Sequence, residues 1–448
     1  MRAKEETFRI LEAALSVASS GVDEAEIAIA GGDLETTHFA DNRVLPSVER
    51  GMEVMSIRVG VEGRMVRTLT SDLSSSGIKS AVQLLKSQVE HLPASAKGFG
   101  LPGPQTYQET YAYDPESDAL RWLDRERLAG QAVLLALRHR LSASGRITVQ
   151  RGAFDACGHP TAYAVANTRG LVAYHPQTKV SLHYEMRGPE GGAGWAEDTS
   201  FILADLKPDE LLASAMSRAS DRSTRRSVAA GHFPVVLEPA VVGQLLAHLG
   251  RHVGAASVAA GASFLAGASG RKVAADDILL YDDHTHLLHR GSPFDDEGVA
   301  RTRVTLIDHG NTGEPVYSWS SAQRYSGQPT GHRVFDAVGV EAEWAQHLVL
   351  EGDSRTASDL LGEMNHGLLV TRLGSTATVD ARQLTVMGST SHGLHLVEGG
   401  EVVAPLEDMQ FTVSVLDILQ EAAGRSESVW AAGSVVPALL TRMPLTPF

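Results

Sequence analysis

Cysteine is almost absent from this chain of 448 residues: Cys157 stands alone. A single thiol excludes an intramolecular disulfide and a thiolate-rich metal site, and it fits a reducing, cytoplasmic compartment. Excess positive charge is missing too, since the formal net charge is -15. A protein that neutralises phosphates needs a basic stripe, and Lys and Arg here are scattered. The one short cluster, Arg222, Arg225 and Arg226, sits in a polar stretch that reads as a solvated connector. No nucleic-acid partner is expected. Long apolar runs are lacking as well. The nearest, residues 253–270, is mostly Gly, Ala and Ser around Val253, Val258, Phe264 and Leu265, far too weakly hydrophobic to insert in a bilayer. The start of the chain shows no cleavage-like site and reads as an amphipathic helix carrying Phe8, Ile10, Leu11, Leu15 and Val17. No membrane partner is expected.

What is present suits a globular protein: 43% hydrophobic and 21% charged residues can bury a core without staples. The length favours two domains. Segments 25–30 and 35–40 alternate like strands, and 53–70 reads as a hairpin turning at Val61-Glu62-Gly63. Helical spacing runs from about Ser74 to Val89 and again over 124–138. A β-rich block and a closing helix follow. The polar stretch 221–231 marks a boundary between domains 1–226 and 227–448. Beyond it come a strand, 234–239, a helix, 241–253, and many short strands with Gly-marked turns. Helices and strands do not alternate strictly, so the fold class is α+β, with a mixed N-terminal sheet domain and a strand-rich, barrel-like C-terminal one.

Several motifs carry a chemical and a plain reading. Gly98 to Gly103 matches a GxGxxG pattern, but it follows Pro93 in an irregular stretch and Pro102 blocks the helix that a pyrophosphate needs; it reads as a loop. His248 and His252 stand four apart on a helix and could share a metal, yet Leu249 replaces the Glu of an HExxH motif, and partly exposed surface groups are the plainer reading. Asp282-Asp283 and Asp295-Asp296-Glu297 could hold a cation or do acid–base work, but Phe294 to Gly298 has the composition of a turn. No GxSxG elbow exists. Cys157 reads as a small packed side chain. The tract 253–270 reads as a close backbone approach or a mobile loop with Phe264-Leu265 as its anchor.

Taken in order, these pieces resemble the TldD/PmbA peptidase family over nearly the whole chain. PVVLEPAVVGQLLAHL, GASFLAGASGRKV, SPFDDEG, SSAQRYSGQPTG, GLLVTRLG and GLHLVEGGEVVAPLEDM are similar to its C-terminal half, and FDDEG is the most specific of them. Gln323 stands where the family commonly has Arg. The family contains a zinc-bearing subunit, with an HExxxH helix and a later Cys ligand, and a partner lacking both. The resemblance sets Ala247 at the first His, His248 at the Glu and His252 at the second His, and no cysteine follows Cys157. One imidazole cannot hold zinc, and without the Glu no base activates a bound water. The chain therefore resembles the zinc-free TldE/PmbA-type subunit, with no catalytic or metal-ligating residue of its own.

The resemblance implies a TldD-like zinc-bearing partner in a heterodimer, and a peptide or unfolded-protein substrate enclosed between the two. Zinc is expected in the partner and no cofactor in this chain. Ser263, Phe264, Asp295, Asp296, Glu297, Gly298, Ser321, Arg324, Thr330 and Gly331 are the expected substrate-cleft residues. Two other readings stay open: a non-catalytic homodimeric peptide-binding or scaffold protein, and an enzyme of unrelated chemistry based on the acidic clusters.

Overall fold

The computed structural model describes residues 2–448 except 90, 92–99, 156–157, 190–191, 221–224, 268 and 336–340. Cys157, Arg222, the first two residues of the GxGxxG pattern and part of the 221–231 stretch lie outside the described residues. Gly100 to Gly103 form neither helix nor strand.

The N-terminal half is built on an antiparallel sheet. Its path runs Ala193–Ser200, Thr178–Arg187, Ser142–Ala153, Glu24–Ala40, Val54–Val61 and Arg64–Thr70. The two strands expected at 25–30 and 35–40 are one strand, Glu24–Ala40, passing through Gly31-Gly32. Gly31 has φ +85° and Gly32 +148°, and a Cβ on Gly32 would lie 2.0 Å from the Arg151 carbonyl oxygen. This bend lets one strand serve two cores. Ala25, Ile27 and Ile29, alternating with period two, pack under helices Lys4–Ala18 and Ser75–Val89. Phe39 packs under helices Trp122–Arg138 and Pro208–Ala219. The hairpin is as expected, with Glu62 and Gly63 at positive φ in its turn.

In the C-terminal half, one sheet runs Leu373–Asp380, Thr385–Thr390, Met409–Ser414, Leu439–Pro447, Gly231–Leu237, His366–Val370, Leu394–Glu398 and Glu401–Pro405. A second runs Asn311–Thr312, Val304–Asp308, Leu280–Asp282, Leu348–Leu350, Ser434–Val436 and Val429–Ala431. The helix Pro239–Gly250 enters their shared core with Val241, Val242, Leu245, Leu246 and Leu249. The fold is α+β as expected, but barrel-like is too strong. Among the described residues both sheet paths have free ends, the first strand of each not pairing with the last.

The halves meet face to face. On the N-terminal sheet, Ala28, Ala162, Val165, Leu171 and Ala173 form an apolar patch that closes around Phe294, from the turn between the two C-terminal strands Leu280–Asp282 and Val304–Asp308. Among the described residues no helix is long and apolar enough to cross a membrane.

Candidate functional site

The helix expected over 241–253 runs Pro239–Gly250, so His248 lies on it and His252 in the turn beyond, in unlike settings. His248 is buried and its ring lies between two threonine hydroxyls, Nδ1 at 2.8 Å from Thr378 Oγ1 and Nε2 at 2.9 Å from Thr376 Oγ1. His252 is half-buried. The expectation of two partly exposed surface histidines therefore fails for His248. The strand Leu373–Asp380 crosses this helix, tied also by Gln244 Nε2 donating to the Gly374 carbonyl at 3.0 Å. Burial, helped by Arg251, pushes both imidazoles below their ordinary pKa.

The tract 253–270 is neither bare loop nor uniform packing. It opens with a bridge from Gly254 to Val316 and a short helix, Ala255–Ala259, and it is exposed over 259–262. Ser263, Phe264 and Leu265 then dive into the C-terminal core. The Ser263 hydroxyl accepts from the Leu265 N–H at 3.1 Å, and Arg271 Nη2 donates to the Phe264 carbonyl. Phe264 is an anchor as expected, but one whose ring faces the core.

Asp295, Asp296 and Glu297 are all buried and divide the work. Asp295 builds the turn: Oδ1 accepts the N–H of Glu297 at 2.9 Å and of Val299 at 3.0 Å, and Oδ2 that of Arg333 at 2.9 Å. Burial and the neighbouring Glu297 push its carboxyl up to about 7, against the pull of these amides. Asp296 Oδ1 accepts the Ala162 N–H of the N-terminal sheet at 2.7 Å. Gly298, at φ +74°, offers its carbonyl to the Tyr107 hydroxyl at 2.7 Å; a Cβ there would lie 2.6 Å from Leu171 Cδ2.

Glu297 sits in a buried ion cluster. Arg58 Nη1 donates to its Oε1 at 2.9 Å, Arg333 Nη1 donates to the same oxygen, and Arg58 Nη2 reaches Glu26 Oε2 at 2.8 Å. Its Oε2 accepts the Trp319 N–H at 3.1 Å. Burial alone would raise Glu297, and the Arg333 and Arg58 charges outweigh it to leave the carboxyl low. Glu26 is held above its ordinary value by burial despite Arg58.

The segment 318–331 leans on this turn. Ser318 and Ser321 cap the helix Trp319–Arg324 reciprocally, and Ser318 Oγ donates to Glu343 Oε1 at 2.9 Å. Thr330 Oγ1 accepts the Tyr317 N–H at 2.7 Å, and the Thr302 N–H donates to the Thr330 carbonyl at 3.1 Å. Gly331, φ +72°, passes so close that a Cβ would lie 2.5 Å from the Ala300 carbonyl oxygen. Of the ten expected cleft residues, the structure brings Asp295, Asp296, Glu297, Gly298, Ser321, Thr330 and Gly331 to one joint. Ser263 and Phe264 pack in the C-terminal core, and Arg324 is exposed at the end of its helix.

The other acidic pair splits in function. Asp283 is a turn residue whose Oδ1 accepts the Thr285 N–H at 2.9 Å. Asp282 is buried, accepts His332 Nε2 at 3.0 Å and accepts the His347 N–H at 2.7 Å. Burial would raise it, but the His332 ring and these bonds hold it well below the carboxylate range.

Residues 230–443 match the family described as the PmbA/TldA metallopeptidase C-terminal domain. They are a PmbA/TldD-family domain. Over 422 residues the chain is 26% identical to the metalloprotease PmbA of Escherichia coli O157:H7, covering 90% of this chain and 88% of that one. A metalloprotease of Methanothermobacter thermautotrophicus is 23% identical over 197 residues, 43% of this chain and 42% of its own. In shape the chain is similar to the crystal structure of TldE from Thermococcus kodakarensis, with TM-score 0.84, 19% identity and coverage of 98% of this chain and 100% of that one. That likeness concerns the fold.

Within the PmbA/TldD domain, the FDDEG run has a physical role as the plug between the halves. Sequence reasoning missed its partners. Arg58 and Glu26 lie on strands more than two hundred residues upstream, and nothing local marks a strand arginine as buried. Arg333 follows Gly331-His332 without any charge pattern. A nearer signal was passed over: His284, His286 and His289 crowd six residues just before the FDDEG turn.

Proposed function

We propose that this chain is the zinc-free, TldE/PmbA-type subunit of a cytoplasmic TldD/TldE-type metallopeptidase, pairing with a zinc-bearing partner to enclose and position peptides. The setting of His248 carries the reading. Where the zinc-bearing subunit would place its general base, this helix has an imidazole, and both its ring nitrogens are held by threonine hydroxyls. Ala247, one position earlier, offers no donor atom at all. The helix is thus packed as a structural element, and hydrolysis falls to the partner.

The chain's own contribution is shape and positioning. The joint around Asp295–Gly298 fixes the angle between the halves, and exposed Arg324 offers a charged fork to a substrate carboxylate or carbonyl. Reconstitution with a zinc-bearing HExxxH family member tests the reading on an unstructured peptide. Cleavage is expected only from the pair. Arg324→Ala should raise KM several-fold with a smaller change in kcat, as loss of a positioning contact does. Cleavage by this chain alone, or failure of the two to associate, overturns the proposal.

A further inference from the structure

The helix Trp122–Arg138 carries apolar side chains on two faces. Inward, Ala129, Ala132, Val133 and Ala136 pack on the N-terminal sheet. Outward, Leu123, Leu134 and Leu137 stand 60%, 59% and 54% exposed. At about 100° per residue these three and Gly130 fall within an arc of about 60°. With Arg127 they make the run 123, 127, 130, 134, 137, whose alternating steps of four and three are those of a helix–helix seam. Apolar side chains exposed singly are ordinary, whereas a stripe along one helix marks an interaction surface.

Gly130 sits at the middle of the stripe. Glycine is the least favourable helix residue after proline, and this one lies in regular helix, where no turn or positive φ requires it. A Cβ built there would meet nothing within 4 Å, so packing inside the chain does not require it either. What glycine supplies is a notch that a second backbone can enter.

We propose that this outer face is a self-association surface, on which a second copy of the chain lays the same helix antiparallel across a two-fold axis at Gly130. The stripe is self-complementary about that residue. Gly130 is seven positions from Leu123 and seven from Leu137, so the axis sets Leu123 against the second copy's Leu137 and Gly130 against itself. An isologous contact requires this reciprocity. Leu134 then lies on the aliphatic stem of the second copy's Arg127.

Charge selects the antiparallel direction. Asp124 in the first turn and Arg138 in the last lie on the same flank of the stripe, so rotation about the axis brings each Asp124 to the second copy's Arg138. Glu116 and Asp118 before the helix and Arg140 after it extend the same polarity. A parallel pairing would set Arg138 beside Arg138. Two copies each carrying a net charge of -15 repel overall, and local pairing of this kind offsets that repulsion where they touch. The strand Arg43–Val44 runs alongside the helix, and exposed Val44, Leu45 and Val48 add apolar surface beside it. One helix pair with this margin falls at the low end of specific interfaces, below about 1,200 Å² in total, so the dimer is a reversible one.

The test is sedimentation equilibrium of the full chain alone across the micromolar range, where a monomer–dimer equilibrium is expected. Leu134→Glu puts two charges in the seam and should weaken dimerisation at least about 30-fold. Gly130→Leu fills the notch, a change that the monomer has room for. It should abolish the dimer while circular dichroism stays native and the melting temperature holds or rises. Arg138→Glu sets like charges against Asp124 and should weaken the dimer about tenfold. A chain that stays monomeric throughout overturns the proposal. So does a dimer that survives Leu134→Glu, or one that Gly130→Leu leaves as tight. None of this rests on a zinc-bearing partner: Leu134→Glu should leave that pairing and peptide cleavage intact. Loss of that pairing in Leu134→Glu would give the face to the zinc-bearing subunit and overturn self-association.

Discussion

Single residues here act mainly through burial of charge. Glu297 is buried between two guanidiniums, and deleting its charge leaves Arg58 and Arg333 without the carboxylate they share. Glu297→Gln keeps the volume and deletes the charge, so a loss of about 3–5 kcal/mol is expected, read as a lower urea midpoint at unchanged slope. A loss below about 1 kcal/mol would mean the cluster is wetter than its burial indicates. His183, in the strand Thr178–Arg187, shows the opposite kind of titration. Burial, with Arg146 and Arg372 nearby, pushes it down to about 4. The folded value is below the unfolded one of about 6.5, so the folded chain prefers the neutral ring. Its contribution is present above pH 6.5 and is lost as pH falls from about 6.5 to about 4. Between pH 7 and pH 5 this amounts to about 2 kcal/mol, and His183→Gln should remove that much of the pH dependence in paired denaturation curves.

At the scale of elements, the tract 253–270 shows what sequence can and cannot give. Its poverty in large side chains was legible, and so was Phe264 as its anchor. The direction of that anchor was not, because one aromatic in a Gly/Ala/Ser run has no periodic neighbours to define a buried face. The structure turns Phe264 into the core, so Phe264→Ala is expected to cost about 3–5 kcal/mol in global stability. Apparent kcat should then fall only as far as folded protein is lost while KM stays unchanged, and a raised KM at full stability would return Phe264 to the cleft. Limited proteolysis should cut within the exposed 259–262 and spare 263–265. The hairpin at 53–70 and the helices Ser75–Val89 and Trp122–Arg138 were readable because turn chemistry and helical period are local. The single strand Glu24–Ala40 was not. Gly31-Gly32 signals a break in any local reading, whereas its bend is sustained by the backbones of Arg151, on the distant strand Ser142–Ala153, and of Met52, between two later strands. FDDEG was legible as a turn for the same local reason, but its burial and its arginines come from long-range packing.

For the whole molecule, the decisive feature is that the turn between two C-terminal strands is a structural part of the N-terminal sheet. Phe294 fills that sheet's apolar patch, Asp296 takes the Ala162 N–H, Tyr107 holds the Gly298 carbonyl and Thr110 Oγ1 donates to the Gly291 carbonyl at 2.6 Å. Each half nevertheless has its own sheets and its own cores, which contribute stability without the other. Domains 1–226 and 227–448 are therefore expected to be two cooperative units melted together by their joint. Asp296→Ala removes the acceptor for a buried N–H, and Tyr107→Phe removes the bond to the Gly298 carbonyl while keeping the ring packed on Phe294. Neither reaches the interior cores, so the double variant loosens the joint and leaves each unit intact. Calorimetry should show one transition for the native chain and two for the double variant, the calorimetric enthalpy then exceeding the van't Hoff value. A single transition shifted to lower temperature, with the two enthalpies still equal, would show instead that the halves share one folding unit. In that case a partner subunit could not change the angle between them without unfolding the joint.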